Sequence, residues 1–114
     1  GKMSVVGVKD KATFRFRDQT PEYKTVMTEY TFKVSVKVKG KYELVVESTV
    51  ARMALAKDED GRILVPLKEA LGASDAALVK VVKGATIKVE MTTTRTSSRI
   101  AKIVLKKSGE VDVQ

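Results

Sequence analysis

Tyr30-Thr31-Phe32-Lys33-Val34-Ser35-Val36-Lys37-Val38-Lys39 alternates apolar and polar residues without a break. Tyr30, Phe32, Val34, Val36 and Val38 fall on one side, and Thr31, Lys33, Ser35, Lys37 and Lys39 on the other. A period of two held this long, and rich in β-branched residues, predicts a strand with one buried and one wet face. Lys39-Gly40 follows as a tight-turn candidate, because Gly supplies positive φ at no steric cost. The chain then returns through Tyr42–Glu47 toward Leu55 with little punctuation. Tyr42, Leu44 and Val46 are expected on the core face of this second strand. One long hairpin therefore anchors a mainly β reading.

The same logic extends both ways. Ala12–Arg17 alternates, with Phe14 and Phe16 opposed to Thr13, Arg15 and Arg17, and a turn is expected over Asp18–Glu22. Asp58-Glu59-Asp60-Gly61 reads as a turn and Arg62–Val65 as a short strand. Pro66 suits the first position of a helix, Leu67–Leu71 its body, and Gly72 its stop. Residues 74–83 admit two readings. Ser74 or Asp75 can cap a short helix, or Val79–Val82 forms a strand closed by Lys83-Gly84; a strand by Val81 is favoured, since Thr86–Met91 is plainly one. Thr92–Ser98 reads as a hydroxyl-rich loop, Arg99–Lys106 as the last strand, and residues 108–114 as a flexible tail. The sum is one domain over residues 1–114: a small antiparallel β-barrel with one or two short helices.

The composition narrows the chemistry. There is no Cys and no His, which removes thiolate chemistry, disulfides, and the commonest metal ligand and general base. No Gly-rich phosphate loop, nucleophile elbow or acid–base pair is visible, so neither an enzyme nor a cofactor is expected. Asp58, Glu59 and Asp60 lack the alternate spacing of a Ca²⁺ loop, and no metal site is expected. No apolar run nears the ~18 residues of a membrane span, and no signal-peptide pattern occurs, so a cytoplasmic protein without a membrane partner is expected. Abundant Lys and Glu with no Cys also fits a heat-adapted source.

The net charge of +8 favours a polyanion partner. Residues 1–50 carry ten Lys/Arg against six Asp/Glu, residues 51–91 seven against six, and residues 92–114 five against two. Both ends are basic and the middle is nearly neutral. The bland alternative is that the charge serves only solubility.

The middle carries the most specific motif. Gly61-Arg62-Ile63-Leu64-Val65-Pro66, then Glu69-Ala70-Leu71-Gly72, then Val79-Lys80-Val81 and Ile87-Lys88-Val89, resemble the AbrB/SpoVT-type swapped-hairpin DNA-binding family. The resemblance covers roughly residues 49–91. It implies a homodimer of interleaved hairpins that grips DNA with basic loops and strand faces, with Arg62 at a commonly DNA-contacting basic position. The family's usual Gly-Asp after the helix is Ala76-Ala77 here, Lys68 is the only helix cation, and the strands over residues 14–47 lie outside the family pattern.

The candidate nucleic-acid contacts are Lys33, Lys37, Lys39, Lys41, Arg62, Arg95 and Arg99. Same-face strand residues are about 6.6–7 Å apart, so a Lys row can track phosphates by charge alone. The same row also fits the wet face of a half-buried sheet. Arg95 and Arg99, in a loop of Thr and Ser, offer guanidinium forks and hydroxyls to phosphate oxygens, although an ordinary polar hairpin loop has the same composition. Phe14, Phe16, Tyr30, Phe32 and Tyr42 keep phase with the aliphatic residues and are expected in the core rather than as stacking platforms. The expected role is a nucleic-acid binder in a chromatin or transcription-regulator setting, with duplex DNA favoured over RNA. The alternatives are an adaptor subunit of a transcription or replication complex, and an OB-like single-strand binder.

Overall fold

A computed structural model describes residues 4–6, 12–18, 25–97 and 103–113. Its strands are β1 (Ser4–Val6), β2 (Thr13–Phe16), β3 (Thr25–Val38), β4 (Lys41–Ala51), β5 (Ala56–Lys57), β6 (Ile63–Pro66), β7 (Thr86–Ser97) and β8 (Ile103–Asp112). One short helix, α1 (Asp75–Leu78), and a 3₁₀ turn at Arg52–Ala54 complete the described elements. They form two four-stranded antiparallel sheets, in the orders β1-β2-β6-β5 and β4-β3-β7-β8. Mainly β, antiparallel architecture is therefore as the alternation predicts. The ladder does not close into a barrel among the described residues; the sheets touch edge to edge only through a Val5–Val113 bridge.

The sheets differ in length. Strands of 10 to 14 residues build the long sheet, against two to four residues in the short one. The short sheet covers part of one face of the long one. Phe14 and Phe16 from β2 meet Tyr30 and Phe32 from β3 at ring separations of 5.1 to 5.9 Å, mostly edge to face. All four rings are essentially inaccessible, and Val34, Val36, Ile63, Val65, Ile87 and Val89 extend this core. Fully burying a side chain of this size stabilises by about 1.5–3 kcal/mol, so the facing stripes of β3, β7 and β2 hold the fold together.

Four local expectations change. First, Thr92–Ser97 is strand, not loop. β7 runs on to Ser97, paired to β3 on one side and, as far as Arg95, to β8 on the other. Thr suits a pleated surface, and the burial of Ile87, Val89 and Met91 continues in phase through Thr93 and Arg95. Second, residues 108–112 belong to β8, in register with Thr86–Glu90. Ladder pairing orders a segment whose own composition carries no strand signal.

Third, Val79–Val82 is not strand. The Ser74 hydroxyl caps α1 by accepting from the Ala77 N–H at 3.1 Å, and Val81 is buried as the chain leaves the helix. The Leu67–Leu71 segment is turn rather than α-helix. It keeps two helix-like bonds, from Ala70 N–H to Pro66 C=O and from Gly72 N–H to Lys68 C=O, with Gly72 at φ +70° where the stop was expected. Fourth, Tyr42 and Leu44 turn away from the core while Val46 stays in it. The β3–β4 register shifts at Val34/Ser35, leaving Val45 as an extra residue, and a bulge reverses which side chains face inward.

Candidate nucleic-acid interface

The β3–β4 turn has positive φ at both central residues, 49° at Lys39 and 79° at Gly40. That is the geometry of a type I′ hairpin, whose twist suits the flanking strands. Gly, Asn or Asp fits the first position more easily; a left-handed Lys costs roughly 1–2 kcal/mol. Here the strained position displays a cation at the sheet's tip. Lys37, Lys39 and Lys41 are exposed around this turn, and none is in an ion pair among the described residues.

Lys83 joins them. Gly84 N–H donates to Val113 C=O and Val113 N–H to Ala85 C=O, which fixes the 83–84 turn at this same end of the long sheet. The nearby carboxylates are engaged: Glu43 takes Lys80 Nζ at 2.6 Å, and Asp112 accepts from the Thr86 hydroxyl at 3.2 Å. The result is a pole of four ammonium groups, Lys37, Lys39, Lys41 and Lys83, none of them in an ion pair among the described residues. In sequence Lys83 is only part of a turn, since no local signal pairs residue 84 with residue 113.

Lys33 lies away from this pole. It sits in the middle of the outer face, 3.9 Å from Glu47 on β4 and in register with Glu90 on β7. Lys88 likewise approaches Glu90 at 3.6 Å. Outward charges of both signs thus alternate across the face, so the Lys row is not a continuous phosphate track. A shallow depression of about 470 Å³ on this face, lined by Lys88, Glu90, Thr92, Lys106 and Ser108 with Met91 beneath, is similarly mixed. Tyr42 lies on the same face, its ring centroid 5.9 Å from both Lys37 Nζ and Lys88 Nζ. Interaction with the Glu110 carboxylate first, then burial, raises the Tyr42 pKa by disfavouring the phenolate.

Arg62 is at the opposite end. The Asp58 carboxylate accepts from the Asp60 and Arg62 N–H groups at 2.9 Å each, and Asp58 N–H donates to Arg62 C=O, so the acidic turn caps its own backbone as expected. Ile63 pairs with Phe16, whose ring is 5.1 Å from Tyr30, and this places Arg62 far along the sheet from the tip. Arg99 lies outside the described residues.

Arg95 is not a surface clamp. It is 6 % exposed and points into the core end of the long sheet. Its guanidinium donates to Asp18 Oδ2 at 2.7 Å and to Thr28 Oγ1 at 3.3 Å, while the Tyr30 hydroxyl donates to the same Asp18 oxygen. Burial first, then the Asp18 hydrogen bond, pushes the Tyr30 phenol well above its ordinary range. The Arg95 Nε is enclosed without a partner. Continued alternation from Ile87 to Arg95, and Asp18 two residues beyond Phe16, were the available sequence signals.

No group of three metal-ligating side chains occurs among the described residues, and no helix there is long and apolar enough to cross a membrane. The site thus defines a class: a two-sheet, antiparallel β protein with a lysine pole at one end. No family model, curated protein or solved structure matches the chain.

Proposed function

We propose that the protein binds nucleic acid through phosphate contacts, with duplex DNA as the favoured partner and a chromatin or transcription-regulator setting as the role. The observation that carries this reading is the pole of Lys37, Lys39, Lys41 and Lys83, which has no ion pair among the described residues and presents Lys39 at a backbone position ill suited to it. Point-like ammonium charges on long stems suit phosphates rather than base edges, so contact is sequence-tolerant. The resemblance over residues 49–91 points to the same partner class in sequence, although its Leu67–Leu71 helix and Val79–Val81 strand do not form. A small, open antiparallel barrel is the fold we read behind it.

Ring placement favours duplex over single strand. Phe14, Phe16, Tyr30 and Phe32 are buried, and Tyr42 is flanked by two lysines, so none of these five offers a free stacking face. A second reading, an adaptor subunit of a larger complex, is supported by the charge-balanced outer face and its exposed Leu44 and Val104.

The test is a titration against labelled duplex and single-stranded DNA of one length at two salt concentrations. Micromolar or tighter duplex binding, with a log–log salt slope near −3 to −4 for four phosphate contacts, is expected (about −0.9 per contact). No binding at low salt would reject this function and move the reading to the adaptor. Preference for single strands would reject the duplex assignment.

A further inference from the structure

The two edges of the long sheet are built differently. β4 carries the Val45 bulge, and its Glu43 is held by Lys80 beyond α1, devices that blunt an edge against pairing. β8 has neither. Its ten residues pair with β7 in unbroken register from Ile103–Arg95 to Asp112–Thr86. Among the described residues its other edge meets only β1, at the Val5–Val113 bridge. It contains no Pro, and Val104, Lys106, Ser108, Glu110 and Asp112 are exposed along the outer face.

From this edge we infer that β8 is a dimerisation strand whose partner is β8 of a second copy, paired antiparallel about a two-fold axis at Ser108. A two-fold antiparallel pair is self-complementary: each residue meets the one equally far beyond the axis. With the axis at Ser108, Lys106 of each copy lies opposite Glu110 of the other, giving two ion pairs on one face. Moving the axis to Lys106 sets that lysine against itself, and moving it to Lys107 leaves Lys106 facing Ser108. An axis at Gly109 instead sets Lys106 opposite Asp112, so charge complementarity favours a second copy as the partner and confines the axis to Ser108 or Gly109, which rescue by Glu110→Lys tells apart. The two four-stranded long sheets become one eight-stranded sheet, with the β3–β4 tips at its far corners and Lys83 nearer the end of β8. This inference is independent of nucleic-acid binding.

Sedimentation velocity of the whole protein at about 10 and about 100 µM reads the assembly. A dimer is expected, weakened about tenfold by Lys106→Glu and restored to within about threefold when Glu110→Lys is added. The chain has no Cys, so Ser108→Cys gives a clean second readout. Under mild oxidation it should form a disulfide-linked dimer, whereas Thr49→Cys on the β4 edge should stay monomeric on a non-reducing gel. A monomer at both concentrations overturns the inference, as does a dimer that Lys106→Glu leaves unchanged.

Discussion

The two ends of the long sheet use cations in opposite ways. At one end Arg95 is sealed into the core, its guanidinium on Asp18 and Thr28, with Tyr30 sharing the Asp18 oxygen. At the other, Lys37, Lys39, Lys41 and Lys83 are exposed, with no ion pair among the described residues. A buried charge survives only when paired and hydrogen-bonded, and that pairing makes it unavailable to a ligand. An exposed charge contributes little to stability, yet remains free to meet a phosphate. One end therefore serves the fold and the other is available for binding.

Removing the buried partner should break this contrast most severely. Arg95→Ala leaves Asp18 without its guanidinium in a largely enclosed site, and a loss of about 3–5 kcal/mol is expected in urea unfolding. A loss below about 1 kcal/mol would mean the pair is solvated and the ends are not distinct. The mirror experiment replaces all four pole lysines with Ala. Stability should change by less than about 1 kcal/mol, while duplex affinity collapses and its salt slope approaches zero. Equal loss of binding from Lys33→Ala alone would move the contact to the outer face.

Tyr30 sharpens the comparison through pH. Its pKa is raised in the folded state, so the folded protein holds the phenolic proton after the unfolded chain has released it. Its contribution is fully present below about pH 10 and is lost as pH climbs toward the raised value. Stability should therefore fall steeply above about pH 10, and less steeply in Tyr30→Phe, which has no phenolic proton to lose. Parallel decline in both proteins would assign the alkaline transition to lysines instead. The smallest effect is expected at the tip. Lys39→Gly relieves the left-handed backbone and should stabilise by about 0.5–1 kcal/mol while lowering the salt slope by about 1. Unchanged stability would show that the turn carries no strain.

Much of this contrast was written in short-range pattern. Alternation over Tyr30–Lys39 and Ala12–Arg17 identified strands and their buried rings, because a period of two maps directly onto the two faces of a sheet. Asp58–Gly61 and Lys39-Gly40 were legible because turn chemistry is local. The role of Arg95 is not legible in the sequence, because its partner is remote. A Thr-rich stretch looks like loop until β3 and β8 flank it, and Asp18 lies 77 residues away in sequence. Tyr42 and Leu44 were misassigned because a single extra residue at Val45 reverses side-chain direction, and bulges leave no local mark.

The order of residues alone determined the class of structure, the absence of Cys and His chemistry, and the excess of positive charge. Each depends on composition or on neighbours within a few positions. The tertiary structure decided which cations remain available, since burial, pairing and edge exposure depend on segments far apart in the chain. Lys39 and Arg95 both sit beside small or hydroxylated residues in sequence. The packing of β7 between β3 and β8 makes Arg95 a structural strut, while the β3–β4 turn leaves Lys39 at the surface.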